Sequence, residues 1–536
     1  MPLIKAMMRE ASSNDKIAQM SIAALIVAPL IIVFWSSGED PNQITADVAA
    51  ARHRALIDAG LRSLQLAILA TSVALAIGIP AGWALAQRKN PLWLLVLCAL
   101  PLALPASVAV SGWVRFLAPG AASSFNPSAV VAGKISRGML FSTTGAGLIL
   151  GSSLWPLIAF EAWPAFKRAR TESYDAAVLS GSRLRAFLRI VLPQSKGELA
   201  AGTLLAFLLA AGDFSVSSLL LVRTLPVEVH DALMLGKPDS AAWAALPLIV
   251  VVMISALALT RLSHSRRESG AGVLVPSAPV RNIVAPAFAA AGVIVGFGLP
   301  MLGCFLGAEN SGKPFSTAAV AADATMTSLR VAGAVALLAG LFAVGRVLAW
   351  PDRRAWPLNV AGLFLLAIPG SFLAAAVFSL QLKVTRTIGV FGIDRVAELV
   401  PAAFLGLGLL VRFIYIPLRL VEEGLASLDS ELLESAALAG HGRLSRAVAV
   451  ALPLIMPHIA ASAALVFILA LGEVPLCDRL TPPGVTMATI WLFQQQHMGY
   501  NEAVFGLSSL MGVVCAGTLL MTGGFAELAR KVVRIV

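Results

Sequence analysis

The stretch ESAALAGHGRLSRAVAVALP, residues 434–453, lies between two long apolar runs. It contains a glutamate, several alanines, two glycines and a closing Leu-Pro, which is the composition of two short helices joined at a glycine. A related stretch, YDAAVLSGSRLRAFLRIVLP, occupies residues 174–193. The sequence therefore predicts two helical hairpins, one in each half of the chain.

The overall composition places both hairpins in a membrane protein. Of the 536 residues, 58% are hydrophobic and only 13% are charged, and the mean hydropathy is +0.84, which excludes an ordinary soluble protein. The net charge of +11 fits basic loops on the cytoplasmic side of a membrane better than it fits nucleic-acid binding. The four cysteines stand singly and indicate neither a disulfide framework nor a zinc site.

Twelve apolar stretches are long enough to cross a bilayer, because a spanning helix needs about 20 mostly apolar residues. The first six are 17–35, 63–87, 92–116, 139–160, 198–222 and 241–260. The second six are 284–306, 325–349, 357–380, 397–417, 456–476 and 503–523. The first stretch has no small-residue cleavage site after it, so it predicts an uncleaved span. The predicted fold class is an all-α membrane protein with about 12 transmembrane helices.

Basic residues collect in alternate loops, which predicts that both termini lie in the cytoplasm. The loops 36–60, 117–138, 223–240, 307–322, 381–396 and 477–502 then face outward. A polar segment rich in Gly, Ser and Pro predicts a cytoplasmic linker at 263–283. It separates a first repeat, 1–262, from a second, 284–536. Because each repeat has six predicted spans, the two have the same orientation in the membrane.

The two hairpins align closely. Gly181 pairs with Gly440 at an offset of 259, and Leu192-Pro193 pairs with Leu452-Pro453 at an offset of 260, so the first copy is one residue shorter after its glycine. We expect each glycine to end a helix in a left-handed or tight conformation. We expect Leu-Pro to close each hairpin, since proline cannot donate to a continuing helix.

Both hairpins resemble the EAA loop of inner-membrane permease subunits of ATP-binding-cassette (ABC) importers, whose pattern is E-A-A, three residues, G, about a dozen residues, then L-P. The first copy has Asp175 for the glutamate, and the second has Ser435 at the first alanine. The segments TLPVEV, 224–229, and TPPG, 481–484, also resemble this family. The chain is most similar to fused two-permease members associated with uptake of iron(III), thiamine, phosphonate or polyamines.

The resemblance implies that each hairpin is a coupling helix that sits in a groove of a separate ATPase subunit. The alternative is an amphipathic hairpin in the membrane interface that merely joins two spans. The residues implied in ATPase coupling are Asp175, Ala176, Ala177, Gly181, Leu192, Pro193, Glu434, Ala436, Ala437, Gly440, Leu452 and Pro453. The resemblance further implies two ATPase copies and an extracytoplasmic binding protein that delivers the solute.

The chain lacks a phosphate-binding loop of the G-x-x-x-x-G-K-[ST] pattern. In the nearest match, GAENSGKP, Pro314 replaces the hydroxyl residue that would hold magnesium. We therefore expect a non-catalytic subunit that binds no cofactor, with ATP and magnesium used by the partner. The histidines lack metal-binding spacing, so no metal site is expected.

Asp213 and Glu473 stand at matched places within the fifth predicted span of each half, after Gly212 and Gly472. A carboxylate inside a membrane is costly and suggests a place on the translocation path. The alternative is that each carboxylate is hydrogen-bonded locally and only fixes helix packing. Two other classes of protein stay open: a proton-coupled secondary transporter with twelve spans, and a membrane enzyme, which lacks a clustered catalytic set.

Overall fold

The chain is described by a computed structural model, in which the regular elements are all helical. The described residues are 46–88, 90–117, 138–169, 172–268, 284–308, 321–349, 356–390, 394–428, 430–500 and 502–535. Seven of the described helices are long and apolar enough to cross a membrane, and up to nine do so if each of two bent pairs counts as one span. The prediction of an all-α, multi-pass membrane protein is therefore confirmed.

The long helices follow the predicted apolar stretches. In the first half they are Ala46–Ala86, Leu92–Ala103, Ala106–Leu117, Thr143–Ala169, Lys196–Ala211 and Pro238–Glu268. In the second half they are Val284–Ala308, Ala322–Ala349, Trp356–Ala367, Gly370–Val390, Asp394–Phe413, Tyr415–Ala426, Leu452–Gly472 and Glu502–Ile535. The first predicted span, 17–35, lies outside the described residues, and the total of twelve stays a prediction.

Several predicted spans are broken by proline. The predicted span 92–116 is not one straight helix, because the chain bends by 80° before Pro105. A matching break precedes Pro369 in the stretch 357–380. The stretch 397–417 bends by 47° where Pro417 enters the next helix. Proline has no amide hydrogen and its ring clashes with the carbonyl four residues earlier, so a helix kinks or stops there.

Some predicted loops are partly helical. The loop 36–60 becomes helical at Ala46, and the loops 223–240 and 477–502 contain the helices Leu225–Met234 and Ala488–Met498. Helix Pro238–Glu268 runs into the predicted linker, so the linker begins no earlier than residue 269; residues 269–283 lie outside the described part of the chain.

The two halves interleave. Helix Val284–Ala308, the first described helix of the second half, packs on the first-half helices Ala46–Ala86 and Ala106–Leu117. The crossing is close because Gly112 faces Pro300 and Gly303, and a Cβ atom at Gly112 would overlap the Pro300 backbone. Glycine is needed here because it lets two helix backbones approach within the space that a side chain would fill.

Candidate coupling hairpins and translocation path

The first hairpin pairs helix Glu172–Ser180 with a second helix that begins at Arg183. Its turn is closed by Ser182, whose hydroxyl accepts a hydrogen bond from the Arg185 amide at 3.3 Å. This is an N-cap, which satisfies one of the amides that a helix start leaves without a partner. Gly181 does not have a positive φ, so the left-handed alternative is wrong for this copy.

The second hairpin makes its turn differently. Gly440 has a φ of +84°, and the His441 amide donates to the Ala436 carbonyl at 3.1 Å while the Gly440 amide donates to Ala437 at 3.1 Å. This pair of bonds is a Schellman motif, which requires a left-handed residue after the helix. The left-handed glycine is therefore confirmed for Gly440. The extra residue in this copy, His441, lies within the motif.

A new α-helix begins at the Leu-Pro pair in both copies, with the proline in its first turn. A single turn of π-helix, Phe187–Val191 or Ala447–Ala451, precedes it, and in the first copy Ser195 separates the short helix Leu192–Gln194 from Lys196–Ala211. In the second copy, Arg443–Gly472 is one continuous helical segment. The wider turn accommodates a proline, which has no amide to offer the usual carbonyl. Each hairpin is thus joined rigidly to a membrane helix.

The hairpins expose matched leucines, which the motif did not single out. Leu179 and Leu438 are each 90% exposed, and they occupy equivalent positions two residues before the glycine. Leu184 and Leu444, just after the turn, are 67% and 62% exposed. The same apolar exposure therefore recurs at both hairpin tips.

The other predicted coupling residues surround these leucines. Ala176, Ala437, Glu434, Pro193 and Pro453 are exposed, while Ala177, Ala436, Leu192 and Leu452 are half-buried. The side chain of Asp175 lies outside the described part of the structure. In the second hairpin the two helices enclose a shallow groove of about 360 Å³, whose lining includes Leu432, Ala436, Ala439, His441, Arg446 and Val450. The hairpin thus offers an apolar tip beside a shallow groove.

An aromatic cluster anchors the first hairpin to the membrane helices. Tyr174 is 1% exposed, and its ring lies 5.8 Å from that of Trp83. Trp83 also lies 4.8 Å from Phe187 and 6.0 Å from Phe166. These rings come from both hairpin helices and from helices Ala46–Ala86 and Thr143–Ala169, so the hairpin moves together with those helices.

The second hairpin has an aliphatic anchor instead. The buried residues are Ala343, Val347, Val421, Ala451, Ile455 and Ile459. Arg443, at the start of the second hairpin helix, donates to the Ala349 carbonyl at the end of helix Ala322–Ala349. The hairpin is therefore fixed to the second-half helices by packing and by a charged hydrogen bond.

Asp213 follows the end of helix Lys196–Ala211 and caps a short helix. Its Oδ2 atom accepts hydrogen bonds from the Val216 and Ser217 amides at 3.0 and 3.2 Å, and helix Ser215–Leu219 follows. Of the two interpretations of this carboxylate, the local structural one accounts for these contacts. The predicted span 198–222 is accordingly interrupted at Gly212-Asp213.

Glu473 has a different environment. It follows helix Leu452–Gly472, and its Oε1 lies 4.0 Å from Nε of Arg412, with both side chains about one-tenth exposed. Arg412 Nη1 donates to the carbonyls of Leu365 and Ile368 at 2.9 and 2.5 Å. The arginine therefore satisfies carbonyls that the break before Pro369 leaves without a helical partner. An arginine inside the apolar run 397–417 was the sequence signal for this contact.

An apolar constriction follows the two carboxylates. Phe214 and Val474, the residues directly after Asp213 and Glu473, cluster with Val227 and Phe493. The rings of Phe214 and Phe493 lie 5.6 Å apart, and these two residues come from different halves of the chain. The cluster brings side chains of both halves into contact at the level where both fifth spans are interrupted.

His230 stacks on this constriction, with its ring centroid 4.4 Å from that of Phe214. Burial lowers the pKa of His230 below its ordinary value, so the ring is neutral at neutral pH. Its Nδ1 lies 3.5 Å from the Ser371 hydroxyl of the second half. The side chain adds aromatic surface to the constriction without adding charge.

Two short helices beside this cluster, Leu225–Met234 and Ala488–Met498, each contact the opposite half. Gln496, in helix Ala488–Met498, donates through Nε2 to the Ser107 carbonyl at 2.8 Å and to the Ser111 hydroxyl at 2.6 Å. Ser107 and Ser371 each stand two residues after a span-breaking proline. The two helices also begin alike, because the Leu225 amide donates to Ser63 at 2.8 Å and the Ala488 amide to Ser328 at 2.9 Å.

The part of the chain that holds the second hairpin, Arg412 and Glu473 matches a known family. Residues 357–527 match the family described as the inner membrane component of binding-protein-dependent transport systems. The match covers less than half of the chain but includes the second hairpin, and it agrees with the resemblance predicted from that hairpin's sequence.

Individual relatives agree with this family. The chain is similar to a probable molybdenum ABC transporter permease protein of Haloferax volcanii, at 27% identity over 220 residues, which cover 40% of this chain and 77% of that relative. It is also similar to the spermidine/putrescine transport system permease protein PotB of Escherichia coli, at 30% identity over 166 residues, or 30% of this chain and 59% of PotB. The match thus spans less than two thirds of the length of PotB.

Proposed function

We propose that this chain is the permease of an ATP-driven importer in a bacterial inner membrane, with two permease repeats, 1–262 and 284–536, fused in one polypeptide. The repeats form the translocation pathway for a small solute delivered by an extracytoplasmic binding protein. Iron(III), thiamine, phosphonate and polyamine-like solutes are the candidates. Both termini lie in the cytoplasm, as the distribution of basic residues predicts.

The observation that carries the proposal is the matched exposure of Leu179 and Leu438 at the two hairpin tips. A hairpin that merely lay in the membrane interface would bury its leucines in lipid on one face, and would not need rigid anchors on two membrane helices. A hairpin that docks on another protein needs both an apolar contact and a stiff connection. Two hairpins fit two ATPase subunits, which bind ATP and magnesium, while this chain catalyses no reaction.

The path is proposed to run between the two halves, through the constriction around Phe214 and Phe493. Outward movement of the hairpin-bearing helices would separate the halves and open this space. Asp213 and Glu473 stand at the edge of the constriction, but their contacts give each a structural role as well. The proposal includes contact of both carboxylates with the solute.

A proton-coupled transporter is the second candidate, and the environment of the two acids argues against it. Such a transporter needs a buried acid that gains and loses a proton during each cycle. Asp213 is held by two backbone amides and Glu473 lies beside a buried arginine. Each carboxylate thus already has a structural partner, which favours a fixed structural role over a cycling proton carrier.

The test is affinity purification of the full chain from its native membrane, followed by identification of bound ATPase subunits and by an uptake assay. We expect an ATPase to co-purify, and the double substitution L179D/L438D to abolish its binding. The matched control is Met498→Asp, because Met498 is 84% exposed but lies outside the hairpins. Absence of an ATPase, together with uptake that collapses with the proton gradient and survives ATP depletion, would reject the proposal.

A further inference from the structure

Among the described residues, an ion pair joins the two halves between the helices that lead into the hairpins. Oε1 of Glu161 lies 3.2 Å from Nη2 of Arg419, although the two residues are 258 positions apart in the chain. Glu161 is in helix Thr143–Ala169, about two turns before its end. Arg419 is in helix Tyr415–Ala426, also about two turns before its end.

Each of these helices leads directly to a hairpin. Helix Glu172–Ser180 begins three residues after Ala169, and helix Ser430–Leu438 begins four residues after Ala426. A change in the distance between the hairpins therefore acts on the ion pair through two helices. A formed pair holds the two helices together about two turns before they reach the hairpins.

The arginine is oriented for this contact by a neighbour on its own helix. Nε of Arg419 lies 2.9 Å from Oε1 of Glu423, one helical turn later. The guanidinium thus engages one carboxylate within its helix through Nε and a second carboxylate across the halves through Nη2. An arginine held at Nε loses less conformational entropy when it forms the second contact.

The repeat does not contain a second copy of this pair with the roles of the two halves exchanged. With the hairpin offset of 259, the position equivalent to Glu161 is Leu420, and the position equivalent to Arg419 is Phe160. The side chains of Glu161 and Arg419 are 20% and 27% exposed, so the pair borders space that water can reach, unlike the buried residues around it. Removing one partner of a partly desolvated pair costs more than removing one partner of a surface pair, because the other charge is left without compensation.

We propose that Glu161 and Arg419 form an ionic latch, which ties helix Thr143–Ala169 to helix Tyr415–Ala426 and so resists separation of the two halves at the hairpin ends of these helices. The role of the latch in transport rests on the proposed function, but its effect on the distance between the hairpins is a property of this chain alone.

The test measures that distance in the chain without any partner. Spin labels are attached at L179C and L438C, which are both fully accessible positions, and the four buried native cysteines are replaced by alanine. Double electron–electron resonance in lipid nanodiscs then gives the distribution of distances between the hairpin tips. In Glu161→Gln and in Arg419→Gln we expect the population with widely separated tips to rise by about twofold to tenfold.

Three controls separate a latch from ordinary packing. Glu423→Gln removes the contact within the helix and keeps the cross-half pair, so its distances should stay close to those of the parent chain. The reversed pair E161R/R419E in the Glu423→Gln background should restore the narrow distribution. Raising the salt to about 1 M should widen the parent distribution, though by a smaller factor than Glu161→Gln does, because a partly buried pair is screened less than an exposed one, and it should leave Glu161→Gln unchanged.

An unchanged distribution in Glu161→Gln, or a distribution in Glu423→Gln as wide as that of Glu161→Gln, would overturn the latch. If the single variants unfold, the salt series in the parent chain decides, since it alters no residue. A failed ATPase co-purification would reject the proposed function without touching this result, because these measurements contain no ATPase.

Discussion

The two hairpin glycines should respond differently to the same substitution. Gly440 has a φ of +84°, a conformation that costs an L-residue about 1–2 kcal/mol. A Cβ atom there would meet no atom within 4 Å, so the expected cost of Gly440→Ala is conformational only. Gly181 does not have a positive φ, and its added Cβ would make an ordinary contact of 3.7 Å with the Ala177 carbonyl.

The expected result is a clear difference between the copies. Gly440→Ala should destabilise the second turn by about 1–2 kcal/mol, which corresponds to about a 5- to 30-fold change in local opening. Gly181→Ala should leave the first turn unchanged or stabilise it by up to about 1 kcal/mol, because alanine restricts the unfolded chain. Gly440→Leu should act on the turn like Gly440→Ala.

Hydrogen–deuterium exchange of the chain in nanodiscs measures this effect directly. The amides of Gly440 and His441 make the two bonds of the Schellman motif, so their protection should fall by the factor given above. The Arg185 amide, which is bound by Ser182, reports on the first turn. Equal loss of protection in the two alanine variants would refute the conformational argument, as would full protection in Gly440→Ala.

Three further substitutions test other parts of the structure. Tyr174→Ala should destabilise the chain by about 3–5 kcal/mol in thermal unfolding, because a fully buried ring is lost. Leu179→Ala should change the free energy of unfolding by less than about 0.5 kcal/mol. Equal effects would contradict the roles of Tyr174 as an anchor and Leu179 as an exposed tip. Asp213→Asn should lower the free energy of unfolding by less than about 1 kcal/mol, because an amide oxygen can still cap the short helix. Glu473→Gln should lower it by about 2–3 kcal/mol, because it leaves a buried arginine without its carboxylate. The reverse order in thermal unfolding would be inconsistent with these contacts. Gly112→Ala should reduce the amount of folded chain recovered from membranes, since its Cβ overlaps the backbone of the crossing helix, and a normal yield would show that the helices can separate at little cost.

The features that depend on nearby residues could be predicted from the sequence. The hairpins, their glycine turns and the apolar helices follow from composition and spacing within about twenty residues. Pro105 and Pro369 predict ordinary kinks within their spans, but the size of each break could not be predicted, because the hydropathy of the run stays high across a proline. The prolines themselves were the available signal.

The features that depend on distant residues could not be predicted. The contact of Arg412 with Glu473 and that of Glu161 with Arg419 join different helices, and no local pattern relates the partners. The exposure of Leu179 and Leu438 also depends on what the surrounding helices leave uncovered. Leucine in an amphipathic helix is usually buried, so sequence alone favours the opposite expectation for these two residues.

The close crossing of Gly112 with Pro300 and Gly303 has a consequence for biosynthesis. The groove on the first-half helices is filled by a segment near residue 300, which leaves the ribosome long after those helices have entered the bilayer. The first half therefore waits in the membrane with an open, glycine-lined groove until the later segment arrives. Cutting the gene between the halves would turn this docking step into a bimolecular encounter, and the yield of assembled protein would then depend on how much of each piece is made.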